Sequence, residues 1–439
     1  QDWLLIGPDA GNWAANAEAW ASGGDLDSHR LPVYSMLTAW FSSVFGDIVF
    51  AGHMVNHLLS ALLAACAYII GRVTSGRAVA VAAAFLTAWS PELFNNQLFF
   101  GVDPTLQFAV LLLATCTVIA MQRARWPWIV LWGVSLGWAI SSHYLCLLFV
   151  PPAVFCLLFM GTSWTMRIRW TLAGILIGLM TFKALSVDYE QLSIPMIANV
   201  FTEGVAGSDG RVLGDGPMSG DTASGLVWHN LPTAPRLAVQ RGLRSMKVEG
   251  VPWILLLGLF WIGLIGWGLK PPGNSSSRWN WKHTLFFIAF LSPLIGLEDS
   301  RAPDRYALFS RPLFFLVVAR GAVSSMCLLE EGFHRRINAW RGPRRRHTRI
   351  VLSAVIAGSF LLIYRDAFVR RWEPFPPTEE GLSDRKMAQK IQESFQFGGG
   401  LVSTSQALAF FTERGRCPGQ RCPTIDSLAT PSGKHQLAT

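Results

Sequence analysis

A chain of 439 residues that is 51% hydrophobic and only 15% charged, with 19 Trp and 28 Phe, departs from ordinary soluble domains, in which about a quarter of the residues are charged. It reads as a polytopic membrane protein. The formal net charge of +9 does not point to nucleic acid, because the basic residues gather in the loops where membrane topology requires them.

Residues 1–47 read as an outward segment. The opening stretch QDWLLIGPDA carries no Met and is too short and too polar for a signal peptide, so Trp3, Leu4, Leu5 and Ile6 read as the outer end of a preceding span. In GPDAGNWAANAEAW, Trp13, Ala17 and Trp20 recur at helical spacing and predict a short helix lying in the headgroup layer. Ser22, Gly23 and Gly24 end it. A second helix starts at Pro32, a favoured first helical residue, and sets Met36, Leu37, Trp40, Phe41, Val44 and Phe45 on one stripe until Gly46 stops it. At about 14 residues it is too short to cross a bilayer.

Apolar runs near the crossing length of about 20 residues follow at 48–70, 78–94, 104–121, 127–143, 145–161, 170–186, 251–270, 283–297, 308–326 and 350–365. These predict ten spans. The fourth and fifth meet at His143 and Tyr144, which demands a very tight turn. With residue 1 outside, the inward loops hold sixteen Lys and Arg, while the short outward segments hold only Arg30, Arg301 and Arg305. Positive charge marks the cytoplasmic side, so both ends of the chain are expected to face outward. The cluster RGPRRRHTR, Arg341 to Arg349, is a topology anchor, with anionic lipid headgroups as a second use. Between the sixth and seventh spans an outward loop covers 187–250. Its Gly- and Asp-rich middle, 204–225, cannot build a core and reads either as a lid over an outward cavity or as disorder.

From residue 366 the composition turns polar. SDRKMAQKIQESF predicts a helix with Ser383 as N-cap, LVST a short strand and SQALAFFTERG another helix. The expected division is a transmembrane core over 1–365 and a small outward α/β domain over 366–439. Cys66, Cys116, Cys146, Cys156 and Cys327 fall in apolar spans, as small buried hydrophobes do. Cys417 and Cys422, in RCPGQRC, read as an outward disulfide across a Pro-Gly turn. Two thiolates with no third ligand nearby make a poorer zinc site.

The stretch GPDAGNWAANAEAWASGGDLDSHRLPVYSMLTAWFSSVFGD, then MVNHLLSALLAACAYIIGR, then AFLTAWSPELFNNQLFFGVDPTLQFAVLLLA, resembles the N-terminal half of the GT-C membrane glycosyltransferases. These include the protein O-mannosyltransferases and the lipid A aminoarabinose transferases. APDRYALFSRPLFFLVVA is similar to the Arg-Tyr segment with which that family enters a late span. The resemblance implies a GT-C core and transfer of a sugar from a polyprenyl-phosphate carrier to an acceptor hydroxyl of a glycan, lipid or protein at the outer face. The expected fold class is therefore all-α transmembrane, a multi-span helical GT-C core with outward amphipathic helices and the small C-terminal α/β appendage.

A lipid-linked donor keeps its tail in the bilayer and its phosphosugar at the interface, so its site belongs where outward loops meet span ends. Phosphate leaves readily once cations or a metal neutralise it, but the acceptor hydroxyl needs a base. Asp9 matches the acid of the family's first outward loop and is the expected base, and inversion at the sugar carbon is the expected outcome. After Pro8 and ahead of an Ala-rich helix it is also a good N-cap, and the two roles are compatible. Family members that set a second acid directly beside the first differ from this chain, where Ala10 follows. Asp103, in FFGVDPTLQF, matches the acid of the second outward loop. It serves the phosphosugar or, with Asp9, a divalent cation (Mg or Mn), or simply opens a helix ahead of Pro104.

In the first loop, Asp25, Asp27, His29 and Arg30 are solvated residues or, for His29 and Arg30, donor or acceptor contacts. For the phosphate, Arg305 offers a forked set of donors, with Tyr306 beside it in the family-like segment and Arg301 as a lesser choice. His143, at the outer end of the fourth span, is the other phosphate candidate. The structural alternatives are an interface Arg that snorkels and a His that packs. His53 and His57, four apart on the first complete span, share a face but lack a third ligand for a metal. The rival from another functional class is a transporter or flippase of a lipid-linked or small polar substrate, which inverted repeats and mid-span acids would mark. No repeated half is visible, and the acids stay near span ends. The expected location is a bacterial inner membrane, with the site and the C-terminus on the periplasmic side.

Overall fold

The computed structural model describes residues 10–24, 26, 31–90, 93, 97, 100–186, 253–265, 281–295 and 308–337. Among them the regular structure is helical, with no strand. Two short helices, α1 (Ala10–Ser22) and α2 (Pro32–Phe45), precede α3 (Ile48–Thr74) and α4 (Arg77–Ala88). Then come α5 (Asp103–Arg123), α6 (Trp126–Ser142), a 3-10 turn (Tyr144–Phe149), α7 (Val150–Leu157) and α8 (Trp164–Leu185). The later described helices are α9 (Trp253–Ile265), α10 (Trp281–Leu291) and α11 (Arg311–Ile337).

Four stretches, Ile48–Thr74, Asp103–Arg123, Trp164–Leu185 and Leu308–Met326, are long and apolar enough to cross a bilayer, and shorter apolar helices stand between them. The chain is a multi-pass membrane protein. The expected tenth span, the loop 187–250 and the C-terminal domain 366–439 with Cys417 and Cys422 lie outside the described residues.

Local chemistry sets most helix ends. Gly46 closes α2 in the left-handed region (φ 77°), where glycine pays no Cβ penalty, and its N–H donates to the Ser42 carbonyl. Asp47 then caps α3, its carboxylate accepting the Phe50 N–H at 2.8 Å. The fifth expected span, 145–161, takes a different form: the 3-10 turn runs straight into the short α7. Pro151 and Pro152 account for this, since neither has an N–H to donate and both are accommodated only in a first helical turn. The sharp reversal before it is as expected, with His143 extended at φ −161° and ψ 143°.

Helix α5 is the centre of the bundle. It is buried almost all round, as a helix that is apolar on every face must be, and α3, α6, α7 and α10 pack on it. Asp103 in its first turn and Arg123 in its last both suit the helix dipole. Helix α8 is peripheral, and Leu172, Leu176, Leu179 and Met180 present an exposed apolar face, as lipid requires. It reaches α6 through glycines. A Cβ on Gly133 would lie 2.5 Å from the Gly174 carbonyl, and one on Gly137 would strike the Gly178 carbonyl, so two Gly-x-x-x-Gly pairs let these backbones touch.

Helices α1 and α2 divide their surfaces differently from the sequence expectation. Trp13 and Ala17 turn inward rather than to the headgroups, Trp13 meeting the Tyr34 ring edge-on at 5.5 Å, and Asn16 donates to the Ser35 hydroxyl at 3.0 Å. The lipid-facing stripe is on α2, where Trp40, Val44 and Phe45 are exposed.

Candidate functional site

Of the expected site residues, Asp103 and His143 fall among the described ones; Asp9, His29, Arg30, Arg305 and Tyr306 lie outside them. Asp103 is the first residue of α5 and is only 6% exposed. The helix-start expectation is met in part. Pro104 follows at a favoured position, but the N-cap itself is Val102 and no side chain caps the helix. Burial of a carboxyl group at the first turn of a spanning helix is more than a helix start asks for, because a buried carboxylate needs partners.

The surroundings of Asp103 supply polar company. Tyr34, fully buried on α2, has Thr38, Asn56 and the backbone of Gly101 as polar neighbours and feels the Asp103 charge. Burial pushes the Tyr34 phenol upward and the Asp103 charge pushes the same way, so the phenol keeps its proton. None of its neighbours sits in hydrogen-bonding geometry with the hydroxyl. Phe100 packs edge-on to Tyr34 at 5.7 Å and to His53 at 5.8 Å, so an aromatic wall of Trp13, Tyr34, Phe100 and His53 backs the cluster.

His143 has a structural task. Its Nδ1 accepts the Leu145 N–H at 3.1 Å and its carbonyl accepts the Cys146 N–H at 3.0 Å, which fixes the turn between α6 and the 3-10 segment. In the neutral ring this leaves the proton on Nε2. The packing reading of His143 is thus met, and a phosphate contact through Nε2–H is compatible with it.

Among the described residues no three His, Cys, Asp or Glu side chains gather to hold a metal. His53 is buried against Phe100 and His57 is partly exposed. A cation shared by Asp9 and Asp103 would draw only Asp103 from this part of the structure. Cys66, Cys116, Cys146 and Cys156 are buried free thiols, as their apolar positions suggest.

Sequence reasoning passed over two charges in the late span. Arg311, at the start of α11, is 2% exposed and Arg320 is 7% exposed. Arg320 donates through Nε to the Gly263 carbonyl at 3.0 Å and through a terminal nitrogen to the Ser75 hydroxyl at 3.4 Å, tying α11 to α9 and to the turn after α3. The signal was present: an Arg interrupting an apolar run at membrane depth is a functional or structural marker by itself.

Residues 29–186 match the family model described as dolichyl-phosphate-mannose-protein mannosyltransferase. No relative among curated protein sequences matches the chain. Among solved structures, the chain is similar to the oligosaccharyltransferase of Archaeoglobus fulgidus, tethered to an acceptor peptide containing the NVT sequon, at a TM-score of 0.57 and 12% identity. That match covers 96% of this chain, which spans 60% of the archaeal protein's length. It is similar also to ArnT from Cupriavidus metallidurans, at a TM-score of 0.56 and 15% identity over 100% of this chain and 91% of that one. The same ArnT bound to undecaprenyl phosphate matches at 0.54 and 14%, over 97% and 86% of the two chains. These findings bear out the resemblance read from the sequence. The chain has the GT-C fold, and the matched segment, which includes α2 to α8, supports a glycosyltransferase.

Proposed function

We propose that the protein transfers a sugar from a polyprenyl-phosphate carrier to an acceptor hydroxyl at the outer face of a bacterial inner membrane, with inversion at the sugar carbon. The observation that carries this reading is the position of Asp103. It is a buried carboxyl group at the N-terminal end of the central spanning helix, set in a polar cluster, within the segment that matches a lipid-phosphate-dependent transferase family. Relatives in fold bind undecaprenyl phosphate and dolichol phosphate, which supports the same class of carrier here.

In the proposed reaction the acceptor oxygen attacks the sugar carbon bonded to phosphate, and the carbon–oxygen bond to the carrier breaks. Polyprenyl phosphate leaves with the bonding pair. Asp9 takes the acceptor's proton as general base. Arg305, with Tyr306, holds the carrier phosphate through charge-assisted bonds, and His29, Arg30 and the His143 Nε2–H are further donor or acceptor contacts. Asp103 orients the phosphosugar. A divalent cation between Asp9 and Asp103 would supply the charge neutralisation that phosphate departure requires.

The test is a lipid extract of the protein purified from its own membrane. Mass spectrometry is expected to find a polyprenyl phosphate, with and without one glycosyl group. An extract holding ordinary phospholipids alone, together with failure to bind added undecaprenyl phosphate, would rule the reading out.

A further inference from the structure

Three helices each carry two hydrogen-bonding side chains four residues apart: Tyr34 and Thr38 on α2, Asn56 and Ser60 on α3, Asp103 and Gln107 on α5. A spacing of four puts both members of a pair on one face of a helix. Helix α3 packs against both α2 and α5, and Tyr34 has Thr38 and Asn56 as polar neighbours and feels the Asp103 charge, so the three polar faces come together at Tyr34.

Their depths agree as well. At the inner ends of α3 and α5 the Gln122 amide donates to the Val73 carbonyl at 2.9 Å. Counted back from that bond at about 1.5 Å per residue, Asn56 and Asp103 stand about 26 and 29 Å above it, and Ser60 and Gln107 about 20 and 23 Å. The polar pairs of α3 and α5 thus form a column of two levels one helical turn apart, and Tyr34 adjoins its Asn56–Asp103 level from α2.

Gln107 is the most telling member. It is 2% exposed, and neither its amide oxygen nor its amide nitrogen has a hydrogen-bond partner. The hydroxyls of Tyr34, Thr38 and Ser60, all shielded from solvent, are likewise without a partner. Unpaired polar groups in apolar surroundings are costly, most of all at membrane depth, and an ordinary structural helix would carry Leu here. The chemistry of the column also selects its ligand. Apart from Asp103 its groups are neutral hydroxyls and amides, and none of them is a cation that would hold a phosphate inside the column. Neutral groups that both donate and accept match the hydroxyls of a sugar ring.

We propose that Gln107, with Thr38 and Tyr34, forms the seat of the glycosyl group of the lipid-linked donor, one turn inward of Asp103, and sets which sugar the protein accepts. This rests on the transferase reading. The ring's hydroxyls pair with the amide of Gln107 and the hydroxyls of Thr38 and Tyr34, while the phosphate stays at the mouth with the cationic residues.

The experiment measures binding to the detergent-solubilised full chain, without acceptor, by native mass spectrometry. The probes are undecaprenyl phosphate and its mannosyl, glucosyl and aminoarabinosyl derivatives. The wild type is expected to bind at least one sugar-bearing lipid tighter than the bare carrier. Gln107→Leu should keep its affinity for bare undecaprenyl phosphate and lose about tenfold for the preferred sugar-bearing lipid, the scale of a hydrogen-bonding site deprived of one good partner. Thr38→Val, which swaps a hydroxyl for a methyl, should act in the same direction and decides the matter if Gln107→Leu does not fold.

Equal losses for both kinds of lipid would make Gln107 a residue of the fold or of the phosphate site, and unchanged binding of both would leave it to buried water. Either result overturns the seat while the transferase reading stands. A wild type that binds the bare carrier as tightly as every sugar-bearing lipid also overturns it. A wild type that binds no probe at all removes the transferase reading first, and the seat falls with it.

Discussion

Asp9 and Arg305 are assigned different tasks, and substitution separates them. Asp9→Asn keeps the shape of the side chain and its ability to cap a helix, so carrier binding should survive while turnover falls by about a hundredfold, the scale of a lost general base. Arg305→Ala should do the reverse, weakening carrier binding by removing a charge-assisted bond to phosphate. Steady-state transfer, set beside lipid binding by native mass spectrometry, checks both. Normal turnover in Asp9→Asn would pass the role of base to Asp103, the buried carboxyl group at the start of α5. Residues of this kind are only half legible in a sequence. Asp103 can be picked out because an acid before Pro at the edge of an apolar run is conspicuous. Gln107 cannot, because one amide inside an apolar run has no local signature. Its meaning appears only beside the unpaired hydroxyls that α2 and α3 bring to the same cluster.

At the scale of elements, the α6–α8 contact is the most exacting. Gly133 and Gly137 mesh with Gly174 and Gly178 so closely that a Cβ on Gly137 would meet backbone as well as side-chain atoms. Gly137→Leu should therefore cost about 1–3 kcal/mol, the usual range for overpacking, read as a lower midpoint of thermal unfolding in detergent. Leu176→Ala, on the exposed face of α8, should leave that midpoint nearly unchanged, because its side chain meets detergent rather than protein. A similar tight crossing joins α9 to α11, where a Cβ on Gly263 or Gly321 would fall on the other helix's backbone. The apolar runs announce that these helices exist, but not which glycines bring two of them together. The fifth span shows the opposite case. Pro151 and Pro152 stand in plain view in the sequence, and their effect, a 3-10 turn ahead of a short helix, follows from their missing N–H groups once run length is given less weight.

For the whole molecule, the orientation is the claim on which the site's location depends. If both ends face outward, Cys417 and Cys422 stand in an oxidising compartment and should be joined. Reporter fusions at residue 420 should then be active outside the membrane, and thiol labelling of the unreduced protein should miss both cysteines. A cytoplasmic residue 420 would move the proposed site to the wrong side and end the reading. The sequence by itself determined the membrane class, the helical architecture, the order of its early spans and the likeness to GT-C transferases. Each of these is carried by composition, by apolar runs of crossing length or by short motifs in order, all of which are local along the chain. Only the tertiary structure decided that α5 is the central helix, that Trp13 and Ala17 face inward while α2 turns Trp40 and Val44 outward, and that Tyr34, Asn56 and Asp103 meet. The physical reason is that almost every side chain on these spans is apolar. A hydrophobic pattern with no polar face cannot tell lipid from a neighbouring helix, and the choice is made by which surfaces fit when the helices pack.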